Sequence, residues 1–172
     1  MAVKGRRKKR LRWRSIWKIL FLLLLGLGLF GFAKGKVVKV ADGDTVTVLS
    51  AEGRMERVRL QGIDSPEFDQ PGGLEAKEFC SDLALFKEVE LTPLGRDDYG
   101  RTVALLRLPG GRLLNEELVR NGQAWVSDKY CTQPWCIGWR ELQKKARQQK
   151  LGLWANPKAV PPWVWKRNKK VR

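Results

Sequence analysis

No histidine occurs anywhere in the 172 residues. That absence removes whole classes of mechanism. A Ser–His or Cys–His nucleophile, an imidazole acid–base pair and a His-ligated zinc site are all excluded. Any catalysis must draw on carboxylates, Arg, Lys, Tyr, Cys or a metal held by oxygen. Acids are scarce as well: 18 Asp and Glu stand against 34 Lys and Arg, a formal net charge of +16. Such an excess implies a polyanionic partner, either nucleic acid or an anionic membrane face. Part of it is local, because nine Lys and Arg and no acid fall in residues 1–33, which leaves +7 on residues 34–172. Cysteine is limited to three residues. Cys131 and Cys136 flank "TQPW", close enough to close a small loop, and a four-ligand metal site needs more Cys or His than the chain owns. A disulfide formed in an oxidising compartment is therefore expected. Cys80 falls on an apolar helical face and is expected to be a buried thiol.

What is present supports one packed domain with tails, at 43% hydrophobic and 30% charged residues. Eight basic side chains crowd residues 4–14, and "ILFLLLLGLGLFGFA", Ile19–Ala33, follows without a charge. Two readings stay open. One is a cleaved secretory signal with Gly31-Phe32-Ala33 as its small-x-small exit. The other is an uncleaved transmembrane anchor that gains length from Ile16 and Trp17, with Lys18 snorkelling to the headgroups and the basic flank kept cytoplasmic. Both export residues 34 onward, so the expected location is outside the cytoplasm, membrane-anchored or secreted.

Three segments then divide the chain: 1–33, a domain over 34–156, and a Pro- and Trp-containing basic tail over 157–172. Within the domain, residues 36–62 alternate polar and apolar, with turns at Asp42-Gly43 and Glu52-Gly53, which predicts three strands. Ala76, Phe79, Cys80, Leu83 and Phe86 recur at helical spacing. Strands are expected near 88–92 and 102–108, a helix over "LLNEELVRNG", a short strand at "AWVS", and a last helix over "WRELQKKARQQKLGLW" with Gly152 as its stop. Five short strands with about three helices predict an α+β fold built on a five-stranded OB-type barrel. The tail is expected to extend over or away from the surface.

Against this basic background stand two acidic clusters, "ADGDT" at 41–45 and "IDSPE" at 63–67. Each alone could be turn chemistry. Strand parity adds a second reading. Asp44 continues the row of Val46 and Val48, and Asp64 continues the row of Val58 and Leu60. If both rows face inward, the carboxylates meet at the barrel end, where they repel unless a cation lies between them. With hard oxygen donors only, Ca²⁺ is the first candidate and Mg²⁺ the second. Arg59 is out of phase with Asp64, so a bulge would be needed to bring them together.

"VADGDTVTV", "RLQGIDSPE", "DDYGRTVALL", "LNEELVRNGQA" and "ARQQKLGLW" occur in that order, and together they resemble the staphylococcal-nuclease (thermonuclease) family over about residues 36–156. The resemblance implies a five-stranded OB barrel with three helices and a Ca²⁺-dependent hydrolysis of DNA and RNA phosphodiesters that leaves 3′-phosphates. It implies Asp44 and Asp64 as Ca²⁺ ligands, with the main-chain carbonyl of Ser65. Glu67 would be the general base, or would orient the attacking water electrostatically. Arg59 and Arg101 would grip the scissile phosphate, and Asp97 and Asp98 would be structural, with Tyr99 packed beneath their turn. Tyr130 would face the substrate. Asp128 stands where the family can carry a second Tyr, leaving Trp125 or Trp135 as alternative stacking partners. The protein is expected to act as a monomer, tethered to a membrane if the first segment is retained.

Two rival readings are a non-catalytic OB-type module that binds nucleic acid, and a structural membrane protein. Asp44, Arg59, Asp64, Glu67 and Arg101 together argue against both, because a pure binder has no need of acids facing a polyanion.

Overall fold

A computed structural model describes residues 33–170; the anchor or signal expected over residues 1–33 lies outside them except for Ala33, which opens the first strand. Among the described residues no helix is long and apolar enough to cross a membrane.

Strands β1 (Ala33–Asp42), β2 (Thr45–Ser50) and β3 (Met55–Leu60) form the expected antiparallel run. Their apolar rows supply Val37, Val40, Val46, Val48, Val58 and Leu60 to the core. Val37 and Val40 are three apart and both buried because β1 shifts register against β2 between Val37 and Lys39. Strands β5 (Glu88–Arg96) and β6 (Thr102–Arg107) complete the closed barrel, in the order β1-β2-β3-β6-β5. β1 pairs back onto β5, and β3–β6 is parallel. Closure leaves no open sheet edge. The expected OB-type α+β architecture is therefore present. The two-residue strands β4 (Ile63–Asp64) and β7 (Trp125–Val126) pair outside the barrel.

Helix α1 (Gly73–Ala84) buries Ala76 and Cys80 as its spacing predicts. Phe86 departs from that pattern. The helix has already ended, Phe86 adopts φ 62°, and its side chain is exposed while its N–H donates to the Val37 carbonyl. Helix α2 (Leu114–Arg120) and helix α3 (Cys136–Gln148) follow. Lys150, at φ 54°, rather than Gly152, terminates α3, and Gly152 opens a 3₁₀ turn over Gly152–Ala155. The tail contains a fourth helix, α4 (Pro162–Lys170), that its composition did not suggest.

Asn115 ties these layers together. It is fully buried on α2, its Oδ1 accepts from Leu106 N (3.1 Å), and its Nδ2 donates to the carbonyls of Gln61 (3.0 Å) and Ala104 (3.4 Å). It thereby joins α2, β6 and the turn that leads to Asp64. Cys131 and Cys136 are joined as a disulfide, and Cys80 is a free, buried thiol whose pKa burial pushes up.

Two outcomes follow from this packing. Asn115→Leu leaves buried main-chain groups without partners and should lower unfolding stability by about 2–3 kcal/mol, read from the urea midpoint at unchanged slope. Thiol titration of the unfolded, unreduced protein should find one free cysteine, rising to three after reduction; three before reduction would contradict the bridge.

Candidate active site

The polar groups named from the sequence gather at one mouth of the barrel, in a cleft of about 860 Å³. Asp44 enters from the β1–β2 turn. Asp42 Oδ1 accepts the Asp44 N–H (3.0 Å), which fixes the turn. A Cβ at Gly43 would lie 2.8 Å from the side chains of Ala76 and Ser65, so the turn can seat against α1 and the 65–67 loop only with glycine there. Asp44 continues the inward Val46–Val48 row and is 4% exposed. Its Oδ2 accepts from the Ser65 N–H (2.6 Å), which locks the two acidic clusters together.

The β2–β3 register sets Arg59 opposite Thr45, next to Asp44 in the chain, and its guanidinium reaches the Asp44 carboxylate. Its Nη1 lies 2.9 Å from Asp44 Oδ2 and its Nη2 lies 2.8 Å from Asp64 Oδ1. One guanidinium thus bridges both carboxylates. The bulge expected to be needed is not how this happens. Gly62 turns the chain at φ 76°, and β4 leaves the barrel to pair with β7. Ile63 then enters the core while Asp64 faces the cleft, so the Val58–Leu60 parity stops at Leu60.

The electrostatics are those of crowded acids. Burial, then the charge of Asp44, lifts Asp64 to about 6, against the pull of Arg59 and Lys166. Burial and the same neighbour lift Asp42 to about 6. For Arg59, burial acts downward, but the surrounding acids, Asp44 and Asp64 foremost, outweigh it and raise its pKa. Among the described residues no group of three acidic or cysteine side chains is arranged to hold an ion by itself. The Asp44–Asp64 pair nevertheless already shares one cation, the guanidinium, and offers only hard oxygen donors. That donor set fits a cation such as Ca²⁺, which accepts carbonyl and water oxygens beside a few carboxylates.

The rim carries the remaining groups. Glu67 lines the cleft three residues beyond Asp64. Arg101 comes from the β5–β6 hairpin, where Asp97 accepts the N–H groups of Tyr99 (3.0 Å) and Arg101 (2.9 Å) and the Arg101 Nε (2.7 Å). Arg101 Nη1 reaches Thr45 Oγ1 at 3.4 Å. Asp97 is thus structural as expected, but Tyr99 does not pack beneath the turn: it is 83% exposed on the cleft wall, 5.4 Å from the Arg101 guanidinium. Tyr130 also lines the cleft, its carbonyl accepting from Gln61 Nε2 (2.6 Å). Asp128 points to solvent beside Arg140. Trp125 is buried edge-to-face against Trp154 and Trp135 lies off the cleft, so neither replaces a stacking tyrosine. Gln61, Gln133 and Lys166 line the cleft without having been singled out from the sequence. Gln133 sits inside the disulfide loop, and Lys166 reaches in from α4.

This geometry is matched by similarity to known proteins. The family described as staphylococcal nuclease homologue matches residues 57–156. An uncharacterized endonuclease of Escherichia coli is 41% identical over 135 residues, covering 78% of this chain and 86% of the relative. The micrococcal nuclease of Shigella flexneri is 37% identical over 157 residues, covering 87% and 89%. An uncharacterized endonuclease of Haemophilus influenzae is 36% identical over 136 residues, covering 79% and 74%. The domain match spans more than half the chain and the relatives align along most of their length: the protein belongs to the staphylococcal nuclease family.

Proposed function

We propose that the protein is a Ca²⁺-dependent nuclease that hydrolyses phosphodiester bonds of DNA or RNA to 3′-phosphate ends. The observation that carries this reading is the pairing of Asp44 and Asp64 across Arg59 in an open cleft whose rim holds Glu67 and Arg101. A binding module would not keep buried acids facing a polyanion.

A phosphodiester is anionic and repels hydroxide. The cleft must therefore supply positive charge to the phosphate oxygens and a base to the attacking water. Arg101 offers a planar fork of donors that matches two phosphate oxygens. Arg59 offers the same fork, and must hand over one of its carboxylate contacts to use it. Asp44, Asp64 and the Ser65 carbonyl would hold the Ca²⁺, which when bound supplies Lewis-acid stabilisation as charge builds on the phosphate. Glu67 takes the proton of the attacking water, or orients that water through its charge. The water oxygen bonds to phosphorus, the bond to the 5′ oxygen breaks, and that oxygen leaves protonated by solvent. A 3′-phosphate and a 5′-hydroxyl remain. Tyr130 and Tyr99 offer exposed rings to the bases on either side of the cleft.

The protein acts as a monomer outside the cytoplasm, anchored by the apolar run if that is retained and secreted if it is cleaved. The Cys131–Cys136 bridge supports an oxidising compartment.

Glu67→Gln should lower kcat on single-stranded DNA by roughly 100-fold or more with an unchanged thermal melt. Loss of folded protein in step with activity would assign Glu67 a structural role. Chelation with EGTA should abolish cleavage, and re-added Ca²⁺ should restore it, with end-labelling showing 3′-phosphates. Folded protein that binds single-stranded DNA in Ca²⁺, Mg²⁺ or Mn²⁺ and never cuts it would favour the non-catalytic module.

A further inference from the structure

Helix α4 lies beyond residue 156, where the family match ends, yet it is docked onto the segment that carries the acidic site. Pro161 and Pro162 start it: Pro162 is buried, and the Pro161 carbonyl accepts the N–H groups of Val164 and Trp165, both at 3.0 Å. Just before it, the Val160 carbonyl accepts from Gln70 Nε2 (2.5 Å). Lys166 and Lys169, three apart and so on one helical face, both meet acids of the 64–70 segment. Lys169 pairs with Asp69. Lys166 Nζ lies 2.7 Å from Glu67 Oε1 and 3.9 Å from Asp64 Oδ1. Four side chains, Asp64 at the end of β4 and Glu67, Asp69 and Gln70 in the loop after it, thereby meet the tail.

We propose that Lys166 is a positioning residue for Glu67, and that α4 is a working part of the active site. The inference rests on the reading of Glu67 given above. The Glu67 main chain is set by Gln70, whose Oε1 accepts the Glu67 N–H (3.2 Å) and whose own N–H donates to the Glu67 carbonyl (2.9 Å). Those contacts fix the backbone and leave the side chain, 39% exposed, free to turn. Among the described residues Lys166 is its one ion pair. The ammonium holds Oε1 and leaves Oε2 for the attacking water. Its nearer partner is Glu67, at 2.7 Å against 3.9 Å for Asp64, so its main hold is on the base. Phosphate contact does not require it, because Arg59 and Arg101 already present guanidinium forks to the cleft.

The test is steady-state cleavage of single-stranded DNA in Ca²⁺ by the full chain, comparing wild type, K166M, K166R, E67Q and the K166M/E67Q double variant, with thermal melts to confirm folding. K166M should lower kcat roughly 10- to 100-fold while KM changes little, because a misplaced base costs rate rather than binding. K166R should recover most of the rate, and K166M should add nothing in the E67Q background. A rise in KM at constant kcat would overturn the proposal in favour of a phosphate contact. A rise in kcat would show that Lys166 restrains the site. Equal losses in both backgrounds would make α4 merely structural, and K166Q repeats the comparison if K166M melts early. Wild-type kcat in E67Q would sink the reading of Glu67 itself, a result distinct from an E67Q loss that K166M fails to share.

Discussion

The mouth of the barrel depends on one guanidinium shared by two carboxylates. Asp44 is buried, Asp64 is nearly so, and like charges that close cannot both stay ionised without a cation between them. Arg59 is that cation in the structure. Removing one partner of a buried ion pair generally costs about 3–5 kcal/mol, because the charge left behind has lost its water and its counterion. Here the arithmetic is less forgiving still, since Asp42 adds a third carboxylate to the same turn and one Arg cannot neutralise three. Burial first, and the charge of Asp44 second, displace Asp42 and Asp64 upward to about 6.

Backbone pairing, more than side-chain attraction, brings these charges together. The β2–β3 ladder sets Thr45 opposite Arg59, and the Leu60 N–H donates to the Asp44 carbonyl (2.8 Å), so the backbone holds Asp44 and Arg59 within reach of each other. The second carboxylate arrives by a different device. Gly62 supplies a left-handed turn, the chain abandons the barrel, and the β4–β7 pair pins Asp64 beside Trp125. Asn115 then holds the carbonyl of Gln61 from beneath. Rigid ladders on both sides of the cleft mean that Arg59 spans a fixed gap, which is what a preorganised charge site requires.

Much of this was legible in the sequence, for stated reasons. Period-two alternation marked β1 to β3, but register and parity put Leu60 opposite Asp44 and turn Arg59 to the other face, so the Arg59–Asp44 pair was not legible from strand counting. Asp44 is buried as the continuation of the Val46–Val48 row predicts. Asp64 was read into the cleft on parity that does not survive Gly62; the reading reached the right place by a route the backbone does not take. Tyr99 was expected beneath its hairpin, but Asp97 occupies the turn interior with three accepted hydrogen bonds and the ring is left outside. Trp125 could not be told from a surface tryptophan by composition alone, since it packs edge-on against Trp154, 29 residues further along the chain. Helix α4 escaped notice because a basic segment headed by prolines looks like a tail until its acidic docking surface is known.

That docking surface bears on how the charge of the whole protein should be understood. The excess of Lys and Arg draws a polyanion from a distance, and salt screens that attraction within about 10 Å. At contact the task changes, because the same polyanion must be accepted by a cleft whose floor is acidic. On the proposed reading the cations divide this work by type. Planar guanidinium groups on β3 and the β5–β6 hairpin can exchange a carboxylate for a phosphate oxygen of the same shape. Lys166, a compact point charge on a separate helix, has no such matched fork and stays with the acid nearest it. The family match begins after Asp44 and ends before Lys166. The two ends of the electrostatic assembly therefore lie outside the matched range, and it is the closed barrel and the docked tail that return them to a single cleft.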